Sequence, residues 1–433
     1  MLSRSLLRLI LLVVSLLLCG CNAPAPSDNS KKVVSVFVLP ISTDQVGFFN
    51  WAEQTFEAAN PDVDIQIEQF PGSSLKDYEI KLRLRYASGN APDIWYFREN
   101  ELAEYVALDL LAPAPPYIEK IVQENSVNEM IRQAPYFDGT CYGIVHHAGW
   151  TMLYYNKDHF AAAGLTRPPK NWQELVDFAD QLTLRDADDT ITRAGFSLRK
   201  TGYKQGTAEK WLTFFYSAGG TPFNAAGSAS YFDSPAGEAA FQFYGYILEK
   251  NIDSVTLDGD QRGFGQGRVS MFIREDHVIH WMAENFPDVN YGVAPIPPKD
   301  STFTSYSSGG AFPMVVNSGS PNKEIAWQFL AFLLSDEPYL RYVRAVNAQP
   351  ILKSVAVLPE FNSDPMLQTY ARQSVYLPPK FAHDKNSLEV IGTYVERFAY
   401  GHMDAATAVQ RMQSEINTQI QLGFARQQRE VMR

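Results

Sequence analysis

Several residues in this chain are of types that bind or react, and their spacing limits the chemistry they could do. His277 and His280 stand three apart on a possible helix, and His146-His147 form an adjacent pair. Neither comes with the Glu-bearing patterns of zinc helices, so no metal site is read from them. Gly263-Phe264-Gly265-Gln266-Gly267 lacks the spacing of a phosphate loop, and no GxSxG nucleophile elbow occurs. Glu99 and Asp276 could supply two carboxylates for glycoside hydrolysis, which requires them about 5 to 9 Å apart, but no motif pairs them. Arg98, Arg274 and Arg344 could serve an anion.

A binding surface is the better use of the remaining candidates. Asp44 and Gln45 follow a first strand, with Asp44 equally able to cap a helix. Glu99 and Asn100 follow Phe97-Arg98 at the end of a later strand. Trp150 closes the patch His146-His147-Ala148-Gly149-Trp150, between two apolar runs. It reads as a stacking platform, or else as a core residue plugging a junction. Trp211 sits on an apolar helix and reads as core or platform. Asp276 and His277 follow a short strand ending in Arg274-Glu275. Ser308, Gly309 and Gly310 allow close backbone approach to a ligand or form a tight turn. Sugars present an apolar ring face and many hydroxyls, so flat aromatic rings with carboxylate, amide and Arg groups suit them.

The elements that must hold these residues are legible. Val33–Leu39 is a strand, followed by a helix with Val46, Phe49 and Phe56 on one face. Val63, Ile65 and Ile67 alternate as a second strand. Leu75, Tyr78, Leu82 and Tyr86 have helical spacing, and Asp93 to Phe97 is a third strand. This β-α-β-α-β order implies a mainly parallel sheet, with ligands gathering at the strands' carboxyl ends. The middle, from Trp172 to about Tyr291, is mostly helical. Asn171 caps the helix at Trp172, with Glu174 at its third position. A strand at Phe312–Val316 and a helix from Pro321 to Leu334 follow.

The 433-residue length is enough for two domains. The formal charge of −11 argues against nucleic acid or an acidic membrane as partner. Residues 1–20 have a basic start and an apolar stretch too short for a comfortable span, as in an export signal. Leu18-Cys19-Gly20-Cys21 resembles the lipobox of bacterial lipoproteins, which implies lipidation of Cys21. Residues 21–32 read as a flexible tether. After lipidation only Cys141 is left, so no intramolecular disulfide can form.

Further motifs, taken in order, carry a wider resemblance. Ala87 to Ile94 resembles A-x-G-x-x-P-D, and Asp138 to Ile144 resembles D-G-K-x-Y-G-x-P. Leu153-Tyr154-Tyr155-Asn156-Lys157, with Phe160, Gly164, Pro168-Pro169 and Trp172, resembles L-Y-Y-N-K-x-x-F-x-x-x-G followed by P-P-x-T-W. Phe264 to Met271, Ala294 to Pro297 and Ser308 to Gly310 match later landmarks. The chain thus resembles the extracellular solute-binding lipoproteins of family 1, the sugar receptors of ATP-driven importers. It departs from them at Val145-His146-His147, at Asn171 and at Ser270.

The resemblance implies an α/β, two-lobed periplasmic-binding fold of type II. Residues 33–147 and 297–341 would form the N-lobe, and 148–296 and 342–433 the C-lobe. Crossovers would lie at His146–Trp150, near Val293–Pro297 and after a helix ending near Leu340. It also implies a carbohydrate held between the lobes, delivery to a membrane permease, a monomer anchored by lipid at the cell envelope, no cofactor and no enzymatic step. Glu99, Asn100, Asp276 and His277 fall where family members place ligand contacts. The receptor of a non-sugar solute such as glycerol phosphate or a phosphodiester, and a surface glycan hydrolase, are the alternatives.

Overall fold

The computed structural model describes residues 31–431 apart from 41–42, 73, 225, 258–259, 347 and 377–385. The leader and Cys21 lie outside the described residues. Two sheets organise the chain. Strands β1 (Lys32–Val38), β2 (Val63–Gln69), β3 (Ile94–Tyr96), β4 (Gly143–Trp150) and β8 (Gly309–Val316) form a five-stranded sheet in the order β2-β1-β3-β8-β4. Strands β5 (Met152–Asn156), β6 (Met271–Arg274) and β7 (Tyr291–Ala294) form a three-stranded sheet with β5 in the centre.

The parallel part of the first sheet follows the alternation in sequence. Val34, Val36 and Val38 face one side and pack with Ile65 and Ile94. Phe37 faces the other and stacks on Tyr78, with ring centroids 4.6 Å apart. Helices α1 (Thr43–Ala59) and α2 (Leu75–Ala87) cover the two faces. The Tyr78 hydroxyl ties α2 to β1 and β3 by donating to the Phe37 carbonyl at 2.9 Å and the Tyr96 carbonyl at 3.1 Å. Strand β8 breaks the parallel pattern. It runs antiparallel to β3 and β4 and enters between them.

The second lobe is built around helix α3 (Lys204–Ser217), whose residues from Gly206 to Ser217 are all buried except the half-buried Glu209, the polar ones among them included. The helices Pro235–Glu249 and Ser387–Ala399 pack on it, and Ala405–Val431 packs on those two. As expected, Asn171 caps its helix, its side chain accepting from the Glu174 amide at 2.9 Å.

The lobes meet at a narrow seam. Only Thr151 separates β4 of the first sheet from β5 of the second. Its amide donates to the Ser308 carbonyl at 3.0 Å, joining the first crossover to the return strand β8. The short strands Tyr306–Ser307 and Ser374–Val375 pair beside it. The boundary read at 147/148 therefore falls inside β4, which stays paired with β8 through Trp150. The boundary read at 341/342 falls inside helix α5 (Asp336–Val346). Tyr339, Tyr342, Val343 and Val346 of that helix are buried in the core that α1 shares, so its apolar stripe keeps it with the first lobe.

Candidate functional site: a cavity between the lobes

Between the lobes lies a cavity of about 540 Å³. That size suits a small organic ligand. The first lobe contributes Gln45 from α1, Tyr96 and Arg98 from the end of β3, His146, His147 and Gly149 from β4, and Phe312 from β8. The second contributes Arg199, Glu209 on α3, Arg274 to His277, and Trp281 on helix α4 (His277–Asn285).

The histidine pair has a structural cause. Residues 309–312 pair with 150–147, but Pro313 pairs with Val145, so His146 has no opposite residue. This is a β-bulge, placed where Pro313 has no amide to give to the ladder. The extra residue turns two consecutive side chains, His146 and His147, toward one cavity. His146 packs against Tyr342, ring centroids 3.9 Å apart, and burial holds its ring at about 3, well below the ordinary imidazole value. It is a neutral wall. Gln45 donates to the Tyr342 hydroxyl at 3.3 Å behind it.

The charged groups are arranged around α3. Glu209 pairs with Arg98 across the gap between the lobes. The next residue, Lys210, is fully buried and pairs with Glu275. It also donates to the Thr151 hydroxyl at 3.1 Å. Burial acts to raise the Glu275 carboxyl, but Lys210 overcomes it and brings the group down to about 2. Asp276 is 1% exposed. Its Oδ2 accepts from the Gln349 amide at 3.2 Å, whereas its Oδ1 has no hydrogen-bond partner among the described residues. Burial raises its carboxyl, and His147 opposes that shift. A buried carboxylate oxygen left without a donor is costly unless a ligand supplies one.

Gly149 makes this approach possible. A Cβ there would lie 2.6 Å from Asp276 Oδ1. Gly149→Ala should cost about 1–3 kcal/mol through overpacking and lower the thermal midpoint. Any ligand that uses Asp276 should bind it more weakly in a titration at a temperature where both forms are folded.

The residues singled out in the sequence divide in two. Gln45, Asp276, His277, Ser308, Gly309 and Gly310 line the cavity. Glu99 and Asn100 line a smaller neighbouring one, where Glu99 Oε2 accepts from the Ala311 amide at 2.8 Å. Glu99 and Asp276 thus face different cavities, which is not the arrangement of a hydrolytic pair. Asp44 is exposed in the first turn of α1.

Trp150 does not offer the platform read for it. It is 1% exposed, and its Nε1 donates to the Tyr370 carbonyl at 3.0 Å. Strand alternation explains this, since with Gly149 turned to the cavity its neighbour Trp150 must turn away. Trp211 lies in an aromatic core with Phe241 and Phe215, centroids 4.8 and 5.4 Å away. The rings that do reach the cavity include Tyr96, Tyr203, Trp281 and Phe312. Arg344 is exposed and pairs with Glu360 at 2.7 Å, away from the site. Among the described residues no cluster of His, Cys, Asp or Glu could hold a metal ion, and no helix is long and apolar enough to cross a membrane.

Comparison with known proteins agrees with this architecture. Residues 51–369 match the family model described as bacterial extracellular solute-binding protein. The maltotriose-binding protein of Pyrococcus abyssi is 24% identical over 352 residues, covering 78% of this chain and 71% of that one. The sn-glycerol-3-phosphate-binding periplasmic protein UgpB of Escherichia coli (strain K12) is 25% identical over 362 residues, covering 75% and 77%. A solute-binding protein of Thermotoga lettingae, solved with α-D-tagatose, superposes with a TM-score of 0.75 at 23% identity, covering 90% of this chain and all of that one.

Proposed function

The chain belongs to the bacterial extracellular solute-binding protein family, and we propose that it is the substrate-binding component of an ATP-driven importer, capturing a carbohydrate between its lobes and delivering it to a membrane permease. The observation that carries the reading is the cavity itself. It joins aromatic faces (Tyr96, Phe312, Trp281) to directional polar groups (Asp276, His147, Gln45). Rings supply flat apolar contact, and the buried Asp276 Oδ1, without a partner among the described residues, is free to accept a hydrogen bond from a ligand hydroxyl. The maltotriose-binding relative supports a saccharide.

The same reading makes the protein a monomer held at the envelope by acyl chains on Cys21, with no cofactor and no turnover of its ligand. Two or more chains suffice for stable anchoring, whereas one is marginal. Labelling with a lipid probe, lost in Cys21→Ser, tests the anchor.

A screen of mono- and oligosaccharides, polyols and glycerol phosphates by thermal shift tests the ligand. A true ligand should stabilise the protein by about 4 kcal/mol at a thousand times its Kd, without product formed. Asp276→Asn should weaken binding by about tenfold or more, the worth of one charge-assisted bond. Unchanged affinity in that variant would remove Asp276 from the site. The glycerol phosphate relative supports a second reading, a phosphorylated solute. A response to glycerol phosphate alone would select it.

A further inference from the structure

The charges that line the cavity are mostly spent on one another. Arg98 pairs with Glu209. Arg274 lies 3.4 Å from Asp260 and 3.5 Å from Glu275, which also holds Lys210. Arg199 is different. It lines the cavity half-buried, and among the described residues no carboxylate lies within ion-pairing distance of it. Nor does its guanidinium donate a hydrogen bond to any described residue.

The guanidinium is also held in place. A Cβ on Gly206 would lie 3.0 Å from its Cζ and 3.1 Å from its Nη2, so the group packs on the first turn of α3. That turn is the positive end of a helix, where a cation without a counter-ion is unfavourable. A second group in the same cavity is unspent in the opposite sense, namely the buried Asp276 Oδ1. The two call for one molecule that carries both hydroxyl donors and a negative charge.

Building on the carbohydrate reading, we propose that the saccharide taken by this site carries a carboxylate, as a uronic acid does, and that Arg199 binds it. A guanidinium matches a planar carboxylate with two parallel N–H donors. The surroundings favour a single charge. Glu209, Glu275 and Asp276 share the cavity, and a phosphate dianion would face them with Arg199 as the one unpaired cation among the described residues that line it.

Isothermal titration of the purified chain, in buffer free of carboxylates and phosphate, decides the matter. The ligands are glucuronate and galacturonate, as monosaccharides and disaccharides, beside their neutral counterparts and glucose 6-phosphate. The acid should bind about tenfold or more tighter than its neutral counterpart, with the gap narrowing as salt rises. Arg199→Gln should bring acid and neutral sugar within about twofold, and Arg199→Lys should keep an intermediate preference, because it holds the charge without the fork.

Neutral sugars that bind as well as the acids, or an acid preference that survives Arg199→Gln, overturn this inference and leave the carbohydrate reading standing. Tighter binding of glucose 6-phosphate than of any uronate overturns the carboxylate assignment. Absence of binding by every saccharide overturns both. The wild-type comparison decides even where a variant fails to fold.

Discussion

Lys210→Met should cost about 3–5 kcal/mol of folding stability at neutral pH, the range for a buried ion pair that loses one partner. Lys210 has no exposed surface, and it neutralises Glu275 while holding the Thr151 hydroxyl. The expected loss has a pH signature. In the wild type the folded-state value of Glu275 is about 2, below its ordinary 4.5. The pair's contribution is therefore fully present above pH 4.5 and is lost as pH falls toward 2. Without Lys210, burial acts on Glu275 with less opposition and favours its protonated form. The gap between wild type and variant should be widest above pH 4.5 and close toward pH 2. Chemical denaturation at several pH values measures it, and a gap independent of pH would show that Lys210 acts through packing alone.

Trp150→Ala should be as damaging, for a different reason. Removing a large buried side chain costs about 3–5 kcal/mol, because the site collapses only in part. Here the ring also bonds the Tyr370 carbonyl, 220 positions away in the chain. Trp150→Phe should recover most of the packing and lose about 1 kcal/mol with that bond. Ligand affinity of the Phe variant should stay within about threefold, since the ring does not line the cavity. A larger drop would return Trp150 to the ligand.

These two residues mark where sequence reasoning succeeded and where it stopped. Periodicity found the strands and helices of the first lobe, because valines alternate on β1 and Phe49 and Phe56 recur on α1. The turn-rich stretch around Trp150 was legible as a junction. Its facing was not, because one bulge at His146 decides which residues of β4 reach the cavity. Glu209 and Lys210 were invisible for a related reason. Two adjacent charged residues on a helix look like a solvent edge, whereas on α3 Lys210 is buried, Glu209 is half-buried, and each charge has its own partly buried partner. Arg199 and Trp281 carried no motif. Asp276 and Gly309, singled out in the sequence beside strands, and Gln45, singled out because it follows β1, line the cavity because those strands carry them there.

The position of β8 within its sheet has a kinetic consequence. It lies between β3 and β4, yet it begins 159 residues after β4 ends and 213 residues after β3 ends. Until Gly309–Val316 emerges, β3 and β4 expose open edges on what will be the interior of the sheet. The first lobe cannot close on its own contiguous stretch of chain. Native pairing must wait for distant sequence, which predisposes to slow acquisition of structure and a long-lived unfolded chain.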